Sequence, residues 1–479
     1  MRDICRDTLM NEYIHLPFFF QRTPYGVLLT NDIGEHHVLE DDDFEKFVKT
    51  KKGIHADILC ELEGKFFCVK KMTQEMIEIY ATRYRTKKYF IFESTSLHMI
   101  VVTNRCNQSC VYCHASSDDA YMTSGDMSVD TADLTVKNIL MSPSRHIKIE
   151  FQGGEPTLNF EIIRHVVSQR GVLEGHGKAV SFVVCSNLLN VSDEEMKFLI
   201  DNKVSISTSL DGPAYLHDQC RVINSGGGTH DKVVNTLSRF RENGHDDVAA
   251  LLTVHKGNIS CLHDVVDEYL RLGFESVFIR GLNPFGRCEK NADILAYEQE
   301  EFISAYKNIM EYIIEFNKKG VRVSEEYFSM MARRILTPFG CGFVDMQSPA
   351  GGAICGLMYD ADGNVFVSDE ARMMYRSHAD TAFLLGNVHV DTRSEWFRSE
   401  NVERMLRDSV LECIPGCGWC VFAPYCGVDP VRIYRDTRMD GISRDICGGK
   451  KALFEYIFSK IYSEDAFVRR LVRSWAWQR

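Results

Sequence analysis

Three features are missing from this chain, and each absence narrows its function. No uncharged apolar run approaches the length of a membrane span. The start lacks a basic segment leading into an apolar signal core. Its apolar stretch Leu16-Pro17-Phe18-Phe19-Phe20 is too short to be one. There is no excess of basic charge: 55 Lys and Arg stand against 67 Asp and Glu, a net charge of −12. A general nucleic-acid binder needs a basic surface, so that class is set aside. The most cationic stretch, Val468-Arg469-Arg470-Leu471-Val472-Arg473, reads as the solvated face of an amphipathic helix. Internal repeats and low-complexity tracts are also lacking. The expected setting is the cytoplasm, without membrane or nucleic-acid partners.

Cysteine, by contrast, is plentiful. Seventeen cysteines in a reducing compartment favour metal or catalytic roles over disulfides. Three fall at Cys106, Cys110 and Cys113, and four more between Cys413 and Cys426. Cys5, Cys60, Cys68, Cys185, Cys220, Cys261 and Cys288 are scattered and read as small buried hydrophobes.

With 479 residues and 45% hydrophobic content, the chain is long enough for two or three domains. Residues 1–92 read as a small α+β module. It holds a strand at Gly26-Val27-Leu28-Leu29-Thr30-Asn31 and a helix starting at Asp43. From residue 93 to 320 the rhythm becomes strand–loop–helix. Apolar strands are expected at 97–103, 147–151, 180–184, 204–210, 248–254 and 276–280, with helices such as 130–141 and 193–202 between them. That alternation specifies an α/β fold with a parallel sheet curled into a partial, six-unit barrel. Helices follow at 297–318 and 325–336. The segment 321–450 is loop-rich, carries the second cysteine group and reads as a unit folded around metal. Residues 451–479 are expected to form a C-terminal helix.

Cys106-Asn107-Gln108-Ser109-Cys110-Val111-Tyr112-Cys113 directly follows the first barrel strand. Three thiolates on one tight loop can hold three irons of a cubane cluster and leave the fourth iron open for chemistry. A closed zinc site, with His114 as fourth ligand, is the alternative. After the second strand comes Gly153-Gly154-Glu155-Pro156. After the third comes Ser186-Asn187-Leu188. After the fourth comes Ser209-Leu210-Asp211-Gly212-Pro213, with His217-Asp218 and Arg221 following.

Four such loops in order resemble the radical S-adenosylmethionine (SAM) superfamily. The resemblance implies a SAM-chelating 4Fe-4S cluster on Cys106, Cys110 and Cys113. It also implies cofactor contacts from Tyr112, Gly153, Gly154, Glu155, Pro156, Asn187, Ser209, Asp211 and Arg221. Reductive cleavage of SAM to a 5′-deoxyadenosyl radical, followed by hydrogen abstraction from substrate, is the implied chemistry. Leu188 stands where the family usually has glycine.

The later group, Cys417-Gly418-Trp419-Cys420, then Cys426 and Cys447, resembles the SPASM extension of peptide- and protein-modifying members. That likeness implies one or two auxiliary 4Fe-4S clusters. The outer would sit on Cys417, Cys420, Cys426 and Cys447; the inner would draw on Cys341, Cys355, Cys413 and Asp429. Ser368 and Asp429 replace cysteines usual in the family, so the inner site is either rebuilt with mixed ligands or incomplete. Asp369 occupies the place of a catalytic aspartate in sulfatase-maturing relatives; a turn or cap residue, or a partner for Arg372, is the structural alternative.

Phrases such as Leu28-Leu29-Thr30-Asn31-Asp32 and Asp369-Glu370-Ala371-Arg372-Met373 resemble the maturases of His-Xaa-Ser repeat peptides. The implied substrate is a ribosomally synthesised precursor peptide that becomes cross-linked or oxidised. Flavodoxin or ferredoxin is the implied electron donor, and the N-terminal module the implied leader-binding part. Two other readings stay open: a sulfatase-type maturase forming formylglycine, and a non-catalytic iron–sulfur electron carrier.

Overall fold

A computed structural model describes residues 13–51, 53–115, 117–340, 344–437 and 444–477. Six strands, Leu97–Thr103, His146–Gly153, Ala179–Cys185, Ser205–Ser209, Val248–Thr253 and Ser276–Arg280, lie side by side in chain order, all parallel. Each returns through helices on the outer side, as a sequence of alternating strands and helices requires. The partial barrel expected from the sequence is present.

Alternation along the strands builds its two faces. In His146–Gly153, Ile147, Ile149 and Phe151 are buried against the helices, while Lys148, Glu150 and Gln152 on the opposite row are at least partly exposed. The inward row is therefore open and polar at its carboxyl end, where ligands bind in parallel sheets. Local chemistry fixes the helices. Ser192 and Glu195 form a capping box for Asp193–Asp201, and Ser128 caps Val129–Leu140.

The sheet does not stop at residue 320. Ser324–Glu325 adds to one edge, and at the other Gly356–Tyr359 pairs parallel with Leu97–Thr103. Asn364–Phe366 and Leu384–Asn387 continue from it antiparallel, giving ten strands. Segment 338–449 is thus more regular than its sequence suggests. Its elements are three- to ten-residue strands and helices, too short to show periodicity, and they borrow the barrel's edge as template. The chain closes with two helices, Arg444–Ile461 and Ala466–Trp477, where one was expected. In the second, Val468 and Val472 are buried, so the cationic run is an amphipathic surface.

The N-terminal module is a three-stranded antiparallel sheet, Phe19–Thr23, Gly26–Thr30 and His36–Leu39, followed by short helices. Its core of Tyr13, Val27, Leu29, Phe44, Phe47 and Phe67 is separate from that of the barrel. His36 bonds Tyr462 Oη at 2.7 Å and Gln21 bonds Glu455 at 2.6 Å, tying the sheet to the C-terminal helices. Of the scattered cysteines, Cys68, Cys220 and Cys288 are buried as expected, Cys185 and Cys261 are half-buried and Cys60 is exposed; Cys5 lies outside the described residues.

Candidate active site

The cysteine loop leaves the first barrel strand at Thr103 and is fastened along its length. Arg105 makes a two-pronged ion pair with Asp126 at 2.7 Å. Ser109 N donates to Val222 O, Val111 N to Cys220 O, and Cys113 O accepts from Arg287 N. Cys106 and Cys110 are buried and Cys113 is half-buried. Burial pushes the Cys106 thiol up, and moves Cys110 to about 11 although Arg221 pulls it back. Thiols in such surroundings ionise when they gain a cation.

Among the described residues no three Cys, His, Asp or Glu side chains converge on a point the size of one ion. The alternative read from the sequence, a closed zinc site, would use the same three thiols. His114, the fourth ligand of that alternative, is lowered to about 3 by burial and by Arg280, Arg221 and Arg372. In a cubane each thiolate binds a different iron. Three thiols on one loop suit that donor pattern. Asn107 adds a second mark of a missing partner. Its Oδ1 accepts from Asn187 Nδ2 at 2.7 Å, but its own Nδ2 is buried with no acceptor. A cluster carrying SAM fits these residues.

The glycines of the next loop meet a steric need within the chain itself. A Cβ on Gly153 would lie 2.1 Å from Thr103 O, and one on Gly154 would lie 2.1 Å from Arg105 O. Gly153 also has φ +144°. Their bareness serves the approach of this loop to the cysteine strand's backbone. Glu155 is 1% exposed and fully engaged. It accepts from Thr157 N (3.1 Å), Thr157 Oγ1 (2.7 Å), Ser186 Oγ (2.8 Å) and Asn187 N (2.7 Å). It locks the second loop to the third, with Pro156 starting the turn behind it.

Asp211, Tyr112 and Arg221 are all buried and bonded to one another. Ser209 is half-buried at the carboxyl end of its strand. His217 and Asp218 are structural. His217 Nδ1 accepts from Asp211 N at 3.3 Å, and Asp218 caps Thr229 N and His230 N.

Inside the barrel the structure assembles a group that motif reading missed. Glu150 Oε1 accepts from Cys185 Sγ at 3.3 Å and Gln152 Nε2 at 2.5 Å. Asp369 is half-buried and pushed up to about 7 by burial and by Glu370, with Glu150 adding to the rise and Arg372 and Arg280 opposing it. Glu150 and Cys185 are thus in direct contact at the strands' carboxyl ends, and Asp369 lies within electrostatic reach of Glu150 and Arg280. The available signal was strand alternation: Lys148, Glu150 and Gln152 occupy one row of an otherwise apolar strand. Arg372 bonds Asp360 at 3.0 Å and Asn104, and it also interacts electrostatically with Asp369, the partner the structural alternative named. Ser368, where a cysteine was expected, caps helix Asp369–His378 through Ala371 N. Beside this space a cavity of about 240 Å³ lies between the barrel and the C-terminal segment, lined by Phe278, Arg280, Asn283, Glu370 and Asp429 among others.

The second cysteine group is brought together in part. Cys417, Cys420, Cys426 and Cys447 line one pocket with Lys450 and Lys451. Burial raises Cys417, Cys420 and Cys426, and the nearby Cys447 adds to the rise in all three. The proposed inner ligands are not gathered. Cys355 is buried and directed at Phe90 O (3.7 Å), Cys413 is exposed, and Asp429 accepts from Val431 N at 2.9 Å. Cys341 lies outside the described residues.

Comparison with known proteins bears on the fold that carries this site. Residues 100–268 match the model of the radical SAM superfamily. A cysteine-type anaerobic sulfatase-maturating enzyme of Clostridium perfringens is 24% identical over 375 residues, 76% of this chain and 97% of that protein. The sporulation killing factor maturation protein SkfB of Bacillus subtilis is 29% identical over 204 residues, 42% of this chain and 46% of that one. Among solved structures, the native anaerobic sulfatase-maturating enzyme anSMEcpe with bound AdoMet superposes with TM-score 0.65 at 19% identity, covering 79% of this chain and 99% of that one. Streptococcus suis SuiB bound to precursor peptide SuiA superposes with TM-score 0.54 at 12% identity, covering 89% and 97%.

Proposed function

A radical SAM domain at residues 100–268 makes this chain a radical SAM enzyme, and from that premise we propose that it oxidises or cross-links a ribosomally synthesised peptide. The observation that carries the proposal is the polar space inside the barrel. Asp369 feels the charges of Glu150 and Arg280 there, and Arg280 and Glu370 line the adjoining cavity of about 240 Å³. SkfB is a maturation protein, and SuiB was solved with its precursor peptide; both support a peptide substrate.

Cys106, Cys110 and Cys113 would hold the SAM-binding 4Fe-4S cluster, and Cys417, Cys420, Cys426 and Cys447 an auxiliary one. Bound together, the reduced cluster and SAM supply a 5′-deoxyadenosyl radical able to take a hydrogen atom from carbon. The protein's own part is positioning and proton transfer. The locked loops at Glu155 and Asn187 hold the cofactor side of the barrel rigid, and the barrel wall excludes water. Asp369, ionised above about pH 7, accepts the proton that leaves the substrate as it is oxidised. An auxiliary cluster on Cys417, Cys420, Cys426 and Cys447 would take up the electron left on the substrate, and a flavodoxin or ferredoxin would supply the one needed to cleave SAM. Among the described residues no helix is long and apolar enough to cross a membrane.

We assign leader recognition to the N-terminal module. Among the described residues Phe19–Thr23 pairs on one side only, and Phe20 on it is 53% exposed, so the strand offers an edge for another. Titrating the full chain with candidate leader peptides gives saturable binding if this is right; none would reject it.

A formylglycine-forming maturase is the second reading, favoured by the sulfatase-maturating relatives. Co-expression with short peptides encoded beside the gene separates the two. A peptide lighter by two hydrogens with wild type, and unchanged with Cys106→Ala, supports the proposal. Unchanged peptides, with conversion of a sulfatase-derived cysteine peptide, would establish the second reading.

A further inference from the structure

Asp211, Arg221 and Tyr112 form a closed set behind the cysteine loop. Asp211 is 0% exposed, Arg221 7% and Tyr112 5%. Tyr112 Oη donates to Asp211 Oδ2, and Arg221 Nε donates to the same oxygen at 2.7 Å. Asp211 Oδ1 accepts from Thr253 N at 3.1 Å. The guanidinium lies over the Tyr112 ring, 5.1 Å from its centre. Held in this way, Arg221 turns Nη1 toward Cys110 Sγ, 3.9 Å away.

The backbone of the set is pinned as firmly as its side chains. Asp211 N donates to His217 Nδ1, which leaves His217 Nε2 to donate to Thr229 Oγ1 at 3.0 Å. Thr229 Oγ1 donates to Arg221 O at 2.6 Å and accepts from Gln108 Nε2 at 3.2 Å. Gln108 belongs to the cysteine loop itself. One network of paired groups therefore couples the loop to Arg221, and a guanidinium so placed has little freedom to swing to another partner.

By resemblance this stretch was assigned to SAM. The contacts indicate a different duty. One N–H of Arg221 is spent on Asp211, and another faces a cluster ligand. Buried in a low-dielectric wall, a positive charge and an N–H directed at a thiolate sulfur withdraw electron density from it. That favours the more negatively charged, reduced form of whatever iron the sulfur carries.

We propose that Arg221, oriented by Asp211 and Tyr112, is a positioning residue that raises the reduction potential of the cluster on Cys106, Cys110 and Cys113 by acting on the Cys110 sulfur. This rests on the presence of that cluster and is independent of the substrate. Reconstituted wild type, Arg221→Gln and Tyr112→Phe chains are titrated with reductant, without SAM, and followed by electron paramagnetic resonance. The signal absent from Cys106→Ala identifies the cluster in question.

Arg221→Gln is expected to shift the midpoint negative by about 59 mV or more, a tenfold change in a one-electron equilibrium. Tyr112→Phe, which leaves Asp211 freer to draw on the Arg221 charge, shifts it in the same direction by less. SAM binding, measured separately by equilibrium dialysis on the oxidised chains, stays within a few-fold of wild type. An unchanged midpoint with lost SAM affinity in Arg221→Gln overturns the inference and returns Arg221 to the SAM site. If Arg221→Gln takes up no iron, Tyr112→Phe decides, and an unchanged midpoint there also overturns it. Absence of the Cys106-dependent signal in wild type overturns the cluster assignment itself, which is a separate failure.

Discussion

Leu188 shows how a single position is held against its own preference. It has φ +60°, in a region that suits glycine, and the family pattern has glycine there. Its side chain is 1% exposed within the main core. Left-handed backbone costs a leucine about 1–2 kcal/mol, while emptying a buried leucine site costs about 2–5 kcal/mol. Burial wins. Leu188→Gly is expected to destabilise the chain by about 2 kcal/mol in chemical denaturation, although it removes the strain. Asp369 gives a second prediction at this scale. With its carboxyl pushed up to about 7, it is protonated and useless as a base in acid and ionised above neutrality. Product formation should rise with pH through about 7 and then level. Asp369→Asn should abolish it while 5′-deoxyadenosine release continues, as chromatography of both products will show. At this scale the cysteines and the Gly153–Pro156 loop were readable because their chemistry is in their spacing. The tie between Asp211 and Arg221 was not, since the nine residues of intervening chain had to fold back before the pair could meet.

Elements were legible in proportion to their length. All six barrel strands fall within two residues of where alternating apolar runs place them. The hairpin Gly356–Phe366 and the helix Asp369–His378 were hidden, because runs this short carry no period and are stabilised by an edge supplied from residue 97. The same dependence on a distant partner explains the two glycines. Their need is set by the carbonyls of Thr103 and Arg105, fifty residues away in sequence. Gly154→Ala should cost about 3 kcal/mol or more, since backbone rather than a flexible side chain blocks the added carbon. It is expected to reduce iron uptake at the first cluster, measurable as iron per chain, and to leave the second group intact.

For the whole molecule the cysteines define two sites at separate places, one on the barrel and one in the C-terminal segment. Cubane clusters at both would give about eight irons per chain. Replacing Cys417 and Cys420 with alanine should bring this to about four. The protein should keep cleaving SAM but lose turnover of the peptide, because the exit for substrate electrons is gone. Iron analysis near twelve in wild type would instead require an inner cluster, built with the help of Cys341. Domain roles were the least legible level: composition does not say what the N-terminal module binds, and leader binding rests on one sheet edge and its exposed Phe20.

The central claim is that the radical made here takes hydrogen from a peptide carbon. It is tested most directly with the purified, reduced enzyme and a precursor peptide fully deuterated at carbon, by mass analysis of the 5′-deoxyadenosine released. Deuterium in that product, in proportion to modified peptide, is the predicted result. Peptide-independent 5′-deoxyadenosine carrying no deuterium would contradict it and leave a radical SAM enzyme whose substrate is something else.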